Sequence, residues 1–189
     1  MRRAKLGDVY CIKVPNGYKI YQWAYSSKKR GDYIRVFDGL YDEIPENLEK
    51  IVLSPHSYII SFYAARAYRI GLAEFLGNYE VPEQYPLPNY QVHFWINYEQ
   101  QKVYSITVSG RDNNGEWIWE SFDVSKIADL PKEYRDTTLL AGCVTPNWLL
   151  YLFDNGFDLN HPERFSTGPN PAAVVQKYTE IVEKYWKKG

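Results

Sequence analysis

The chain has 189 residues, 17% of them aromatic, and its formal net charge at pH 7 is −1. This length suits one domain or two small lobes, and it is long enough to bury a hydrophobic core without disulfide or metal crosslinks. The near-neutral charge excludes the strongly basic footprint of most nucleic-acid-binding proteins, so we do not expect a nucleic-acid partner.

The stretch from Gly7 to Phe37 predicts three consecutive β-strands. It is rich in Val, Ile, Tyr and Trp, which suit a pleated strand. Pro15-Asn16-Gly17 favours a tight hairpin turn between the first two strands. In the second strand Tyr21, Trp23 and Tyr25 occupy alternate positions, so we expect them to form an aromatic row on one face of the sheet.

The rest of the first half contains short predicted elements. Helical turns are predicted within residues 45–53, a strand over 58–63, a helix over 64–70 and a strand over 72–79. Together with the first three strands, these elements approach the size of an SH3-like barrel. The proline-rich segment 81–89 then marks a semi-rigid boundary. It separates a β-rich lobe, residues 1–85, from a second lobe, residues 86–189, which we expect to pack on the first.

The second lobe is predicted to begin as an antiparallel sheet. Apolar residues alternate with more polar ones from Tyr90 to Asn97, and returning strands are predicted over 102–109 and 117–122. From Ser125 onward the pattern becomes helical.

Two helices are predicted near the C-terminus. Thr145-Pro146 has the residues of a helix start, and Gly156 follows the predicted end. Asn170-Pro171 begins the last helix, in which Tyr178 and Ile181 belong to an apolar stripe that we expect to be buried against the second sheet. The predicted fold class is therefore α+β: an N-terminal β-rich SH3-like barrel lobe, followed by an antiparallel sheet packed with C-terminal helices.

No apolar run reaches the roughly 18 residues needed to span a membrane, and no apolar segment follows the basic N-terminus as in a signal peptide. We therefore expect a soluble, cytoplasmic protein with no membrane partner.

The residues that could bind a metal are scattered along the sequence. The histidines His56, His93 and His161 lack the close spacing of zinc ligands, although a site could assemble in the fold with Cys11 or Cys143. We interpret the histidines as structural and both thiols as buried. The sequence thus predicts no metal, no cofactor and no catalytic residue.

Two alternative functions use other side chains. Glu116, Glu120 and Asp123 lie on or beside one predicted strand, and a pair of them could serve a hydrolase. The basic run Lys28-Lys29-Arg30 lies next to the aromatic row, as in a nucleic-acid or carbohydrate binding module. Because both sets also describe ordinary solvated surfaces, neither is the preferred interpretation.

Short motifs in the first half resemble a known family. Gly7-Asp8-Val9-Tyr10 with Ile12, then Pro15-Asn16-Gly17-Tyr18, and the later stretch from Leu76 to Pro82 resemble the immunity-protein-26-like family. The resemblance covers roughly residues 5–85. Members of that family are predicted antitoxins of bacterial polymorphic toxin systems.

The resemblance implies a non-enzymatic immunity protein that binds and neutralises a cognate toxin. If that toxin is a basic nuclease, an acidic stretch is a natural contact, because acidic groups speed encounter with a basic partner. We therefore assign partner binding to the acidic stretch and to the aromatic row. The acidic stretch comprises Asp42, Glu43, Glu46 and Glu49.

Overall fold

The structure, a computed structural model, describes residues 2–27, 31–97, 99–100, 102–111, 114–165 and 171–186. The strands within these ranges are β1 (Asp8–Val14), β2 (Gly17–Ser27), β3 (Gly31–Phe37), β4 (His56–Ser61), β5 (Glu74–Asn78), β6 (Tyr90–Asn97), β7 (Lys102–Arg111), β8 (Trp117–Phe122) and β9 (Leu139–Cys143). The α-helices there are α1 (Leu48–Leu53), α2 (Ala64–Arg69), α3 (Pro146–Asp154) and α4 (Pro171–Trp186). The strands form one sheet in the order β5-β1-β2-β3-β4-β9-β6-β7-β8, so the α+β class is confirmed.

The three-strand start of the sheet is also confirmed. β1, β2 and β3 pair in antiparallel fashion, and the first turn lies at Pro15-Asn16. The residues just before β1 and at the start of β2 must be glycines, because other chain segments approach their backbones closely. A Cβ atom on Gly7 or on Gly17 would lie 2.6 Å from a backbone oxygen, that of Tyr79 or of Tyr41 respectively. Gly7 and Gly17 of these sequence motifs are therefore steric requirements of the fold.

The predicted SH3-like barrel is not confirmed, because the sheet does not close. The unpredicted strand β9 pairs in parallel with both β4 and β6. It occupies the edge of β4 that a closed barrel would need, and it continues the sheet into the second half. The second sheet is thus part of a mixed sheet and does not stand alone as an antiparallel one. The division at residues 85 and 86 lies between β5 and β6, and it stays a prediction.

The C-terminal helices cover the N-terminal strands, which differs from the packing that we expected. α3 lies against β1 and β2, and α4 lies against α3. Tyr178 of α4 is buried as predicted, whereas Ile181 is only half-buried. The expected cap Asn170 lies outside the described residues. Within the described ranges, we find no helix with both the length and the apolar character needed to cross a membrane.

Candidate functional site

Register across the sheet shows which side chains share a face. A continuous row of paired residues runs from β2 to β8: Gln22, Arg35, Ile59, Leu139, Gln91, Ser109 and Trp119. Gln22 also pairs with Val9, which packs with Leu48 and Val52 of α1. We call this side the α1 face and the opposite side, where α3 packs, the α3 face.

Three tryptophans stand exposed on the α1 face of β6 to β8. The exposed fraction is 42% for Trp95, 55% for Trp117 and 62% for Trp119. His93 lies beside them, with its ring centroid 4.8 Å from that of Trp95. These four side chains are named the tryptophan surface. Large apolar groups that stay exposed together mark binding sites more often than single ones do.

The floor of the tryptophan surface is polar and internally bonded. Trp95 Nε1 donates to Thr107 Oγ1 at 2.8 Å, and Thr107 Oγ1 lies 2.8 Å from Ser121 Oγ. Gln91 Nε2 donates to Ser109 Oγ at 3.1 Å. These bonds hold the indole of Trp95 in place and satisfy the buried hydroxyls.

A groove of about 190 Å³ enters the tryptophan surface on the side of β9. Its lining residues are Tyr33, Asn89, Gln91, Ser109, Gly110, Trp117 and Leu139. It therefore connects the exposed indoles to the middle of the α1 face.

Strand β8 forms one edge of the sheet. It pairs with β7 and has no second neighbour among the described strands. An edge strand presents backbone N–H and C=O groups that can pair with another polypeptide. Because Trp117 and Trp119 lie on this strand, the open edge and the exposed indoles form one continuous surface.

The predicted aromatic row does not form a surface. Tyr21 has no exposed area and packs against Phe153 of α3, and Trp23 is half-buried in the same core. A β-bulge between Trp23 and Tyr25 inserts one residue, so Tyr25 points to the α1 face and packs near Tyr33. A bulge reverses the expected alternation, which is why the row is split between faces. Lys28, Lys29 and Arg30 lie outside the described residues.

The acidic stretch is exposed, as a partner contact requires. Asp42, Glu43 and Glu46 lie in the connection between β3 and α1, and Glu49 lies in the first turn of α1. Their role in binding stays a prediction.

The carboxylates of the hydrolase alternative do not converge. Glu120 lies between Trp119 and Ser121 in β8, so it projects to the α3 face, away from the tryptophan surface. Glu116 and Asp123 flank the strand at opposite ends. None of the three lines the groove or the larger cavity that adjoins it.

The larger cavity, of about 490 Å³, lies on the α1 side beyond the groove. We name it the His56 cavity. It is lined by Pro55, His56, Gln84, Tyr85, Pro86, Pro88, Asn89, Tyr90, Glu133, Asp136, Thr137 and Thr138. Its volume is within the range of small-ligand sites. Asn89 lines both the cavity and the groove, so the two adjoin.

A buried arginine lies behind the His56 cavity. Arg35 has no exposed area, and it donates to Gln22 Oε1 at 3.0 Å and to the carbonyl of Ser54, at the end of α1, at 3.2 Å. Its guanidinium also lies 4.7 Å from the ring centroid of Tyr85. No carboxylate of the described residues pairs with it. Burial lowers the pKa of Arg35, and carbonyls and aromatic rings compensate its charge.

Arg35 also influences the tautomer and the charge of His56. Arg35 Nε donates to His56 Nδ1 at 3.4 Å, so the proton of the neutral ring belongs on Nε2, which lies 2.9 Å from Thr138 Oγ1. Burial, and then the Arg35 charge, lower the pKa of His56 to about 4. The ring is thus neutral at pH 7 and donates to Thr138. In this tautomer it is a poor general base for the Thr138 hydroxyl.

The two cysteines differ, which corrects the expectation that both are buried. Cys11 is buried, and burial followed by the Glu74 charge raises its pKa to about 11, whereas Cys143 is exposed. His161 lies 3.4 Å from Glu163 and far along the chain from the other histidines. In the part of the chain that the structure describes, no group of three or more His, Cys, Asp or Glu side chains could hold a metal ion.

Sequence reasoning placed the tryptophans on strands without identifying them as a site. The available signal was the Trp-Ile-Trp alternation at Trp117 to Trp119, which puts two indoles on one face. The residues of the His56 cavity come from three separate segments, and no spacing rule connects them. No protein-family model, no curated protein and no solved structure matches this chain.

Proposed function

We propose that this chain acts by binding another protein through the tryptophan surface and the open edge of β8. The observation that carries the proposal is the exposure of Trp95, Trp117 and Trp119 beside an unpaired strand edge. Tryptophan is among the residues that most often dominate the energy of a protein interface. The unpaired edge favours a polypeptide partner, because another strand can satisfy its backbone groups.

The identity of the partner in this proposal follows from the family resemblance. The motifs between Gly7 and Tyr18 resemble the immunity-protein-26-like family, so we propose a cognate bacterial toxin as the partner and inhibition by binding, without catalysis, as the action. A cytoplasmic location belongs to the same proposal. An inhibitor of this kind would need an interface of about 1,600 Å² with a few central anchors.

The direct test is co-purification of the tagged protein with the product of the adjacent gene, followed by measurement of affinity. Trp117→Ala and Trp119→Ala should each weaken the complex by about tenfold or more, because loss of an anchor costs 1–2 kcal/mol or more. Tyr63→Ala is the matched control, since Tyr63 is also 62% exposed but lies just before α2. Equal loss in all three variants, or no complex at all, would contradict the proposal.

The carbohydrate-binding alternative would now have to use the tryptophan surface in place of the aromatic row. Indole rings above a floor of hydroxyl and amide groups could also stack on sugar rings. Binding assays of the wild type and of Trp119→Ala, with glycans and with the adjacent gene product, separate the two functions. Retention of a glycan by the wild type only, with no affinity for the adjacent gene product, would favour this alternative.

A further inference from the structure

The His56 cavity is concave, rigidly walled and adjacent to the tryptophan surface. Its lining contains Pro55, Pro86 and Pro88 together with Tyr85 and Tyr90. Proline has few backbone alternatives, so such walls exist before a ligand arrives. Pre-formed walls reduce the entropy that binding must overcome.

Neighbouring contacts fix both tyrosines. The backbone carbonyl of Tyr85 accepts a hydrogen bond from the Tyr25 hydroxyl. The Tyr85 ring packs edge to face on the His56 ring, with the ring centroids 5.5 Å apart. The Tyr90 carbonyl accepts from Thr137, and its ring packs edge to face on Tyr134 at 4.9 Å. Tyr85 and Tyr90 are therefore held in place by contacts with neighbouring residues.

The charge of the cavity lining is negative. Among the described residues that line it, Glu133 and Asp136 carry carboxyl groups, and neither Lys nor Arg is present. Glu133 belongs to a 3₁₀ helix over Lys132–Tyr134, Asp136 follows in the next turn, and both residues line the cavity. Arg135 does not line the cavity, and it donates to the carbonyl of Leu130 at 2.6 Å.

The buried charge of Arg35 does not make the cavity an anion site. Its hydrogen bonds go to Gln22, Val52, Ser54 and His56, and Arg35 itself does not line the cavity. His56 is itself neutral at pH 7. An anion in the cavity would therefore meet two carboxylates and, among the described lining residues, no Lys or Arg.

From this geometry we infer that the His56 cavity receives a basic side chain, Arg or Lys, of the protein that docks on the tryptophan surface. The apolar stem of such a side chain would pack on the proline and tyrosine walls while its charged end meets Glu133 and Asp136. Arginine should bind better than lysine, because its planar guanidinium can stack on aromatic rings and bond two carboxylates. The shared residue Asn89 makes the cavity reachable from the proposed interface. The inference rests on the proposed function only for the source of the side chain.

The test uses the full chain and needs no partner. N-acetyl-L-arginine amide is titrated into the ¹⁵N-labelled protein, and amide shifts are followed by NMR. Saturable shifts are expected at Gln84, Asn89, Thr137 and Thr138. N-acetyl-L-glutamine amide, which has the same backbone but no charge, should not shift them.

Charge variants complete the test. The double variant Glu133→Gln, Asp136→Asn should weaken arginine-amide binding about tenfold, the effect of losing two exposed charge contacts. Asp129→Asn, Glu180→Gln removes the same residue types at exposed positions that line neither the cavity nor the groove, and it should leave the affinity unchanged. Absence of shifts, equal binding of the glutamine amide, or equal loss in both double variants would overturn the inference. Failure to find a protein partner would count against the proposed function alone.

Discussion

Asp8 shows how a single residue of the N-terminal motif acts in the fold. Its carboxylate is fully buried and accepts hydrogen bonds from Arg2 at 2.6 and 2.7 Å, from the Lys5 amide at 2.9 Å, from the Tyr10 hydroxyl at 2.9 Å and from Asn78 at 2.8 Å. Burial by itself raises the pKa of Asp8, but these bonds outweigh it and the net pKa is lowered. The Gly-Asp pair thus ties the N-terminal segment to β1 and β5.

His56 yields a prediction at the same scale. Its pKa is about 4 in the folded protein against an ordinary value of 6.5, because of burial and the Arg35 charge. As pH falls from about 6.5 to about 4, the unfolded chain binds a proton at this ring that the folded chain does not. The free energy of unfolding should therefore fall with pH across that window. Denaturant titrations of the wild type and of His56→Gln between pH 7 and pH 4 measure this effect.

The variant isolates the ring from other titrating groups. Glu133 and Asp136 line the same cavity and remain in both proteins, so the difference between the two stability curves reports His56. The wild type should lose stability relative to His56→Gln on acidification, with a slope approaching one proton. Parallel curves would show that the histidine is not held neutral.

At the scale of elements, α3 links the halves of the chain. It ends at Asp154, whose buried carboxylate accepts from the backbone amide of Asn16 at 2.8 Å and from the Tyr178 hydroxyl at 2.7 Å. One side chain thus connects the turn between β1 and β2, the end of α3 and the middle of α4. Helices α3 and α4 cover this part of the sheet. Tyr21 is buried against α3, so a partner cannot reach it.

Substitutions in the two helices should differ in cost. Phe153 is fully buried against Tyr21, with ring centroids 6.1 Å apart, so Phe153→Ala should cost about 3–5 kcal/mol. Ile181 is only half-buried, so Ile181→Ala should cost about 1 kcal/mol. Urea denaturation followed by circular dichroism gives both values. An equal loss in the two variants would mean that α4 is packed more tightly than its exposure indicates.

For the whole molecule, the α1 face has an ordered sequence of surfaces. The acidic stretch lies near β3 and α1, the His56 cavity follows, and the groove and the tryptophan surface lie toward β8. Neighbouring strands rotate by about 20–25° on average, so the two ends of a nine-stranded sheet face different directions. A partner bound to the tryptophan surface would reach the His56 cavity directly, whereas the acidic stretch would attract that partner at longer range.

This arrangement predicts an effect of the acidic stretch on rate. Neutralising Asp42, Glu43, Glu46 and Glu49 together should slow association with a basic partner at low salt and leave the dissociation rate nearly unchanged. The effect should shrink at physiological ionic strength, where screening limits charge interactions to about 8 Å. Surface plasmon resonance with the adjacent gene product at two salt concentrations measures it. An unchanged association rate at low salt would remove these four residues from the binding mechanism.

The sequence by itself determined most of the local structure. The turn at Pro15-Asn16, the strands of the first 37 residues, the hairpin from Tyr90 and the helix after Thr145 all follow from short-range steric and hydrogen-bonding preferences. Strand β9 was not predicted from the sequence, because it is short, contains Gly142 and has no alternating pattern. The class of the fold was therefore predictable, but the open sheet was not.

The tertiary structure alone decided which aromatic side chains are exposed. Alternation shows that Tyr21 and Trp23, or Trp117 and Trp119, share a face, but it does not show which face another element covers. Helix α3 buries the first pair, while the second pair stays uncovered at the far edge of the sheet. The His56 cavity is likewise formed by segments distant in sequence, and only the path of the chain brings them together. Which face of a strand another element covers is decided by long-range packing, and the alternation within the strand does not determine it.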